Sequence, residues 1–243
     1  MAEKKLYIFD LDNTLTESRT PVDPDMARSI CDLLDTAAVA VISGAAFWQF
    51  EYQLLGGVKC VDRFSRLFIL PTSGAELFRY DTSWKRIYSH RIPDDLRARA
   101  ISVIVEHAGV PRDRASEFIE DRGSGITYSA LGIKAPPEQK SFWDPDQEKR
   151  RAIVSRIAPL LPELSARIGG TTSIDLTLRG IDKAFGVEQL LAHLGIDRSE
   201  AVFVGDALFP GGNDDAIRRL GMDEIKTSGP AETRGIISSF LKR

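Results

Sequence analysis

The sequence predicts an α/β protein, a parallel sheet flanked by helices, with an inserted α+β segment built on an antiparallel sheet. Three observations carry this. Short apolar runs ending in polar or glycine turns alternate with helically spaced segments at the start of the chain. From Trp84 to about Leu178 the pattern changes to alternating, half-exposed runs around the hairpin signal Gly169-Gly170. After that the first pattern returns. The expected organisation is a core formed by residues 1–83 and 179–243, with a separate domain inserted over 84–178.

Taken in order, Leu6 to Phe9 reads as a buried strand that stops at two carboxylates, Asp10 and Asp12. In an open parallel sheet the carboxyl ends of the strands are where ligands bind. Two carboxylates so close repel unless a cation sits between them or one keeps a proton. A hard ion such as Mg2+, which prefers oxygen ligands, would relieve that conflict. Asn13-Thr14 turns the chain away, and an Asp-rich turn with no chemistry is the bland alternative. Asp23 caps a helix opened by Pro24 and running to about Leu34, with Met26, Ile30 and Leu33 on one face. Ala37 to Ile42 is a second buried strand, ending in Ser43-Gly44. A hydroxyl beside a flexible N–H at a strand end can cradle an anion, although Ser-Gly alone is also an ordinary turn. A helix from Phe47 to Leu55 and a strand from Leu67 to Leu70 follow.

Within the insertion, strands are expected at Arg86–Ile92, Phe118–Asp121, Ile126–Leu131, Ala166–Ile168 and Ser173–Leu178. Helices are expected near Asp94–His107 and Pro145–Ile157, on one face of the sheet. The parallel pattern then resumes with a helix from Asp182-Lys183 to Leu191. A strand follows from Ala201 to Val204, ending in Gly205-Asp206, and then the loop Pro210-Gly211-Gly212-Asn213-Asp214.

Composition narrows the function. A net charge of −3 argues against a general nucleic-acid or membrane-surface binder. No apolar run approaches the roughly 20 residues that span a bilayer. Met1 to Lys5 leads directly into the first strand, leaving no room for a signal peptide. Cys31 and Cys60 stand in unrelated contexts and suggest neither a disulfide framework nor a zinc site, so a reducing cytoplasm is the expected setting. His90, His107 and His193 have no ligand spacing. Trp48, Trp84 and Trp143 read as packing residues rather than a sugar-stacking platform.

Four signals at strand ends or helix starts stand together: Asp10-x-Asp12, Ser43-Gly44, Lys183, and Gly205-Asp206 with Asn213-Asp214. The combination resembles the haloacid dehalogenase superfamily of phosphotransferases, in its branch with an inserted type-two α/β cap over a Rossmann-like core. FDLDNTLTESRTPV (9–22), GGTTSIDL (169–176) and GDALFPGGND (205–214) are similar to motifs of the eukaryote-type phosphomannomutases. The resemblance implies that Asp10 attacks a phosphoryl group to form an aspartyl-phosphate. It implies Mg2+ held by the Asp10 carboxylate, the Asp12 carbonyl and Asp206, with Asp214 acting directly or through metal-bound waters. Thr14, Ser43, Gly44 and Lys183 would bind the phosphoryl group, and Asp12 would serve as general acid and base.

The inserted domain is expected to select the substrate by closing over it. In the phosphomannomutases it grips a distal phosphate with several arginines, plus Ser and Asp from the Gly-Gly hairpin. Ser173 and Asp175 match the hairpin positions and Arg122 matches the first arginine, but Ser129 stands where another would follow. The loop Lys134 to Lys140 offers lysines and Gln139 instead, and a lysine does not reproduce the bidentate grip of arginine. These weak cations favour hydrolysis, since a mutase must hold a bisphosphate by either end. The expectation is therefore a sugar-phosphate phosphatase, with phosphomannomutase as the alternative and a catalytically retired binding module as a third. A homodimer through the cap is compatible with the resemblance, but no residue pattern establishes it.

Overall fold

The computed structural model describes residues 4–242. Met1-Ala2-Glu3, which enters the signal-peptide reading, and Arg243 lie outside them. In chain order the elements are β1 (Leu6–Asp10), α1 (Pro24–Thr36), β2 (Ala38–Ile42), α2 (Phe47–Phe50), β3 (Leu67–Leu70), β4 (Glu76–Asp81) and β5 (Ser83–Ser89). Next come α3 (Asp94–His107), β6 (Ile119–Asp121), β7 (Gly125–Ser129), α4 (Pro137–Trp143), α5 (Glu148–Ile157), β8 (Leu164–Gly169) and β9 (Ser173–Leu178). The chain ends with α6 (Lys183–Leu194), β10 (Ala201–Gly205), β11 (Asp223–Lys226) and α7 (Pro230–Leu241). Two compact units result: the chain up to Ser89 together with the chain from Asp182 onward, and His90–Ile181.

The first unit is a seven-stranded sheet in the order β11-β10-β1-β2-β3-β4-β5, parallel as far as β3. Every residue of β1 is buried, as a central strand covered on both faces requires. Alternation splits its side chains between two cores. Tyr7 and Phe9 pack with Met26, Ile30 and Leu33 of α1 and with Ile237 and Phe240 of α7. Leu6 and Ile8 pack with Ala184, Val187 and Leu190 of α6. The Asp23 carboxylate accepts the N–H groups of Asp25 and Met26, each at 2.9 Å, so α1 starts where the sequence places it.

The boundary of the insertion is later than the sequence suggests. Residues 83–89 form β5, which pairs with β4, and β4 pairs antiparallel with β3. This hairpin extends the first sheet, and Trp84 packs edge-on to Tyr80 at 5.4 Å. An edge strand is half exposed, so its alternation is that of an inserted strand, and the change of character at Trp84 marks the sheet edge rather than a new domain.

A second correction concerns the cysteines. Cys31 and Cys60 form a disulfide, with Cα atoms 5.9 Å apart and a sequence separation of 29. The pairing is made by packing. Arg63 binds Asp35 at 2.8 Å, and Arg66 donates to the carbonyls of Leu34 and Asp35 at 3.3 and 3.0 Å, which draws the segment after Cys60 against the end of α1. No helix among the described residues is long and apolar enough to cross a membrane.

The second unit is a four-stranded antiparallel sheet, β6-β7-β9-β8. Ile126, Tyr128, Ile174 and Leu176 share one core with Ala100 and Ile104 of α3 and Ile153 and Ile157 of α5. Alternation puts Thr127, Ser129, Ser173, Asp175, Arg167 and Gly169 on the opposite face of the sheet. The stretch Lys134 to Lys140 is not wholly loop, because α4 begins at Pro137.

Candidate active site

β1 lies between β10 and β2, so the chain leaves β1 in one direction to build β2 and returns on the other side as β10. That reversal opens a crevice at the carboxyl ends of the strands. Asp10 closes β1, Ser43 follows β2 and Asp206 follows β10. α6 delivers Lys183 at its first residue. Its cap, Asp182, accepts the N–H of Phe185 at 3.1 Å and pairs with Arg219 at 2.5 Å.

Lys183 Nζ lies 2.7 Å from Asp10 Oδ1 and 2.6 Å from Asp214 Oδ1, with all three side chains essentially buried. Asp214 Oδ2 accepts the N–H of Ala207 at 3.1 Å, which ties the loop after Asp206 to the same cluster. Gly205 makes this possible: a Cβ there would collide with Asp214 Oδ2 and Phe203. Asp10, Asp206 and Asp214 each offer one carboxylate oxygen within 4.8 Å of the others.

The electrostatics follow from burial. Desolvation, reinforced by Asp214 and Asp206, pushes the Asp10 carboxyl well above the usual range, against the pull of Lys183. Burial likewise raises Asp206, with Asp214 adding to it. Burial alone would lower the Lys183 ammonium, but Asp10 and Asp214 outweigh it and hold the group above its ordinary value. One lysine thus faces three carboxylates in a dry setting. A hard, oxygen-only donor set with an uncompensated negative charge fits a divalent cation such as Mg2+.

The other expected residues divide. Asp12 is half-buried, and its Oδ1 accepts N–H bonds from Arg19 at 2.7 Å and from the Gln53 amide at 3.1 Å. Ser43 is buried, and its Oγ accepts the N–H of Ala45 at 3.2 Å, which folds the chain around Gly44. Ser43 O also receives the N–H of Ser73 at 2.8 Å. Thr72 and Ser73 have φ of 52° and 56°, so the turn after β3 is held in a strained conformation against the Ser43 segment. Thr14 is buried, and its hydroxyl has no hydrogen-bond partner.

In the second unit, Ser173 and Asp175 lie on the polar face, and Asp175 accepts a 2.5 Å bond from Thr127 Oγ1. A Cβ at Gly169 would strike the Asp175 carboxylate, so this glycine makes room for it. Arg122 is engaged by Glu120 at 2.7 Å. Lys140 is buried, and its ammonium donates to Ile133 O at 2.8 Å, which fastens the preceding loop. Sequence reading missed Arg150, which is buried against Asp144 at 2.8 Å and donates to Gly169 O and Gly170 O at 3.1 and 2.7 Å. An arginine inside the polar stretch Glu148–Arg151 gives no sign in sequence of pointing inward. It also missed Gln53. Trp48, expected to pack, is 56% exposed, whereas Trp143 joins the core of the second unit.

This fold, with a buried aspartate at the end of its central strand, a lysine on it and two further aspartates beside it, defines a phosphotransferase of the haloacid dehalogenase superfamily. Its solved relatives share the fold. A haloacid dehalogenase-like hydrolase from Bacteroides thetaiotaomicron superposes with a TM-score of 0.69 over 99% of both chains at 15% identity. N-terminally truncated Plasmodium falciparum IMP-nucleotidase gives 0.71 over 98% of this chain and 70% of that one at 16% identity. Residues 26–242 match the model of the family described as eukaryotic phosphomannomutase, and the chain belongs to that family. A phosphomannomutase of Spinacia oleracea is 28% identical over 220 residues, 86% of this chain and 84% of the relative.

Proposed function

We propose that this enzyme is a Mg2+-dependent phosphotransferase of phosphorylated hexoses that works through an aspartyl-phosphate on Asp10, and that it acts as a phosphomannomutase. The observation that carries the reading is the buried Asp10 carboxylate, bound by Lys183 at the end of the central strand and faced by Asp206 and Asp214. Family membership supports the choice of substrate.

The Asp10 carboxylate, the Asp12 carbonyl, Asp206 and Asp214 would hold the Mg2+, which neutralises phosphoryl charge when bound. Asp10 attacks phosphorus in line: its O–P bond forms as the ester O–P bond breaks. Lys183, Ser43 and the Gly44 N–H offer donors to the phosphoryl oxygens, and the unpartnered Thr14 hydroxyl is a further one. Asp12 gives its proton to the leaving sugar oxygen. It then takes a proton from the incoming nucleophile as the Asp10 O–P bond breaks. Ser173 and Asp175 on the polar face of the second unit would recognise the sugar.

The phosphatase reading keeps one specific support: Arg122 and Lys140, two cations expected to grip the substrate, are engaged by Glu120 and by a backbone carbonyl. Phosphorus NMR of mannose 1-phosphate with Mg2+, with and without a trace of hexose 1,6-bisphosphate, separates the two. Growth of mannose 6-phosphate is expected. Inorganic phosphate alone would replace the mutase by a hydrolase.

A further inference from the structure

Gln53 is 1% exposed and has no part in the chemistry described so far. It sits in a π-helical turn, Glu51–Leu55, that widens the helix directly after α2. Such turns are uncommon and cluster at functional sites. Its carbonyl accepts the N–H of Val22 at 2.6 Å, and its amide nitrogen donates to Asp12 Oδ1 at 3.1 Å and to Thr16 Oγ1 at 3.4 Å. The second donor to Asp12 Oδ1 is the Arg19 N–H at 2.7 Å, from a residue held at φ 60°. A buried amide must find partners, and a merely structural glutamine can find them on backbone carbonyls. Here a strained loop and a widened helix both deliver an N–H to the same oxygen of the same carboxylate.

We propose that Gln53 is a positioning residue for Asp12: together with the Arg19 N–H it fixes Oδ1 and leaves Oδ2 as the oxygen that exchanges the proton. This rests on the reading of Asp12 as the acid–base group. Two N–H donors aimed at Oδ1 leave no place there for a hydrogen, so the proton of the acid form sits on Oδ2. In the first half-reaction that hydrogen passes to the leaving oxygen as the ester O–P bond breaks and the Asp10 O–P bond forms. In the second, Oδ2 takes the hydrogen of the attacking hydroxyl as the new O–P bond forms and the Asp10 O–P bond breaks. Loss of the amide donor lets the carboxylate rotate, and a misplacement of about 1 Å is enough to cost rate.

The test uses the dependence of rate on leaving group across aryl phosphates, from phenyl to 2,4-dinitrophenyl, at saturating Mg2+. Gln53→Met keeps the volume without the donor, and Gln53→Glu keeps a polar group of the same size. Asp12→Asn is measured beside them. Proton donation matters for phenoxide and not for dinitrophenoxide. Both Gln53 variants should therefore lose about tenfold or more in kcat/KM, which reads the first half-reaction alone, on phenyl phosphate, and less than about twofold on the dinitrophenyl ester. A uniform loss on all esters, with Asp12→Asn still selective, overturns the role of Gln53 and leaves that of Asp12 intact. An unselective Asp12→Asn overturns both. Should Gln53→Met not fold, the Gln53→Glu slope decides alone.

Discussion

Lys183 Nζ contacts Asp10 Oδ1 at 2.7 Å in a pocket where both side chains are almost fully buried, so each charge depends on the other for its solvation. Asp214, at 2.6 Å, shares the same ammonium. Replacing Lys183 by Met keeps the bulk but strands two carboxylates in a dry environment. Breaking a buried pair in this way costs about 3–5 kcal/mol. The expected result is a metal-free protein destabilised by that amount in urea, with activity down by at least about a hundredfold. Unchanged stability would show that the lysine is not the counter-charge of Asp10.

The same cluster links stability to pH and to metal. The Asp10 carboxyl is raised by burial, so between its unfolded value and its folded one the native state holds more protons than the unfolded state. Stability of the metal-free protein should therefore fall as pH rises above the ordinary carboxylate range. Mg2+ binds the ionised carboxylates, so its stabilising effect should grow over the same interval. Melting temperatures with EDTA and with Mg2+, measured across acidic to neutral pH, check both trends. A Mg2+ increment that does not change with pH would contradict the cluster as its site.

Much of this site is legible in sequence because its groups stand at element ends. Asp10, Ser43 and Asp206 each follow an apolar run, and Lys183 follows a capping Asp, so period and punctuation locate them without knowledge of packing. What escapes has a different origin. Gln53 reaches Asp12 from a π turn, which shifts the facing of side chains by an amount no apolar periodicity records. The burial of Arg150 and Lys140 gives no sign in sequence, since burial of a cation depends on carboxylates and carbonyls supplied by other segments. β5 reads as part of the insertion because an edge strand is half exposed in either domain. The partnership of Cys31 with Cys60 depends on arginines 63 and 66 reaching the end of α1.

That disulfide closes a loop of 29 residues. On loop-closure entropy, removing it costs about 3–4 kcal/mol. Cys31→Ser or reduction by dithiothreitol should lower the urea midpoint accordingly. The staple touches neither Asp10 nor Lys183, so kcat at a temperature well below the melt should stay within about twofold. Equal stability of the oxidised and reduced forms would mean that packing of α1 alone holds this corner.

Arg150 is the corresponding point in the second unit. Its guanidinium pairs with Asp144, donates to Asp144 O and reaches both carbonyls of the Gly169-Gly170 turn. Burial works against the Asp144 charge, but Arg150 and the N–H groups of Lys149 and Arg150 hold the carboxyl below its usual value. Arg150→Met would leave a buried carboxylate uncompensated and two turn carbonyls without donors, a loss of about 3–5 kcal/mol. Arg150→Lys should recover only part of it, because one ammonium cannot span Asp144 and the turn together. The turn carries Gly169 beneath the Asp175 carboxylate and leads into Ser173, so its loosening should also raise KM for sugar phosphates while sparing a small aryl phosphate. Hydrogen exchange of Ser173 to Leu178 reads the loosening directly. If exchange there is unchanged in Arg150→Met, the hairpin is held by its strand pairing to β7 and β8 rather than from behind by the arginine.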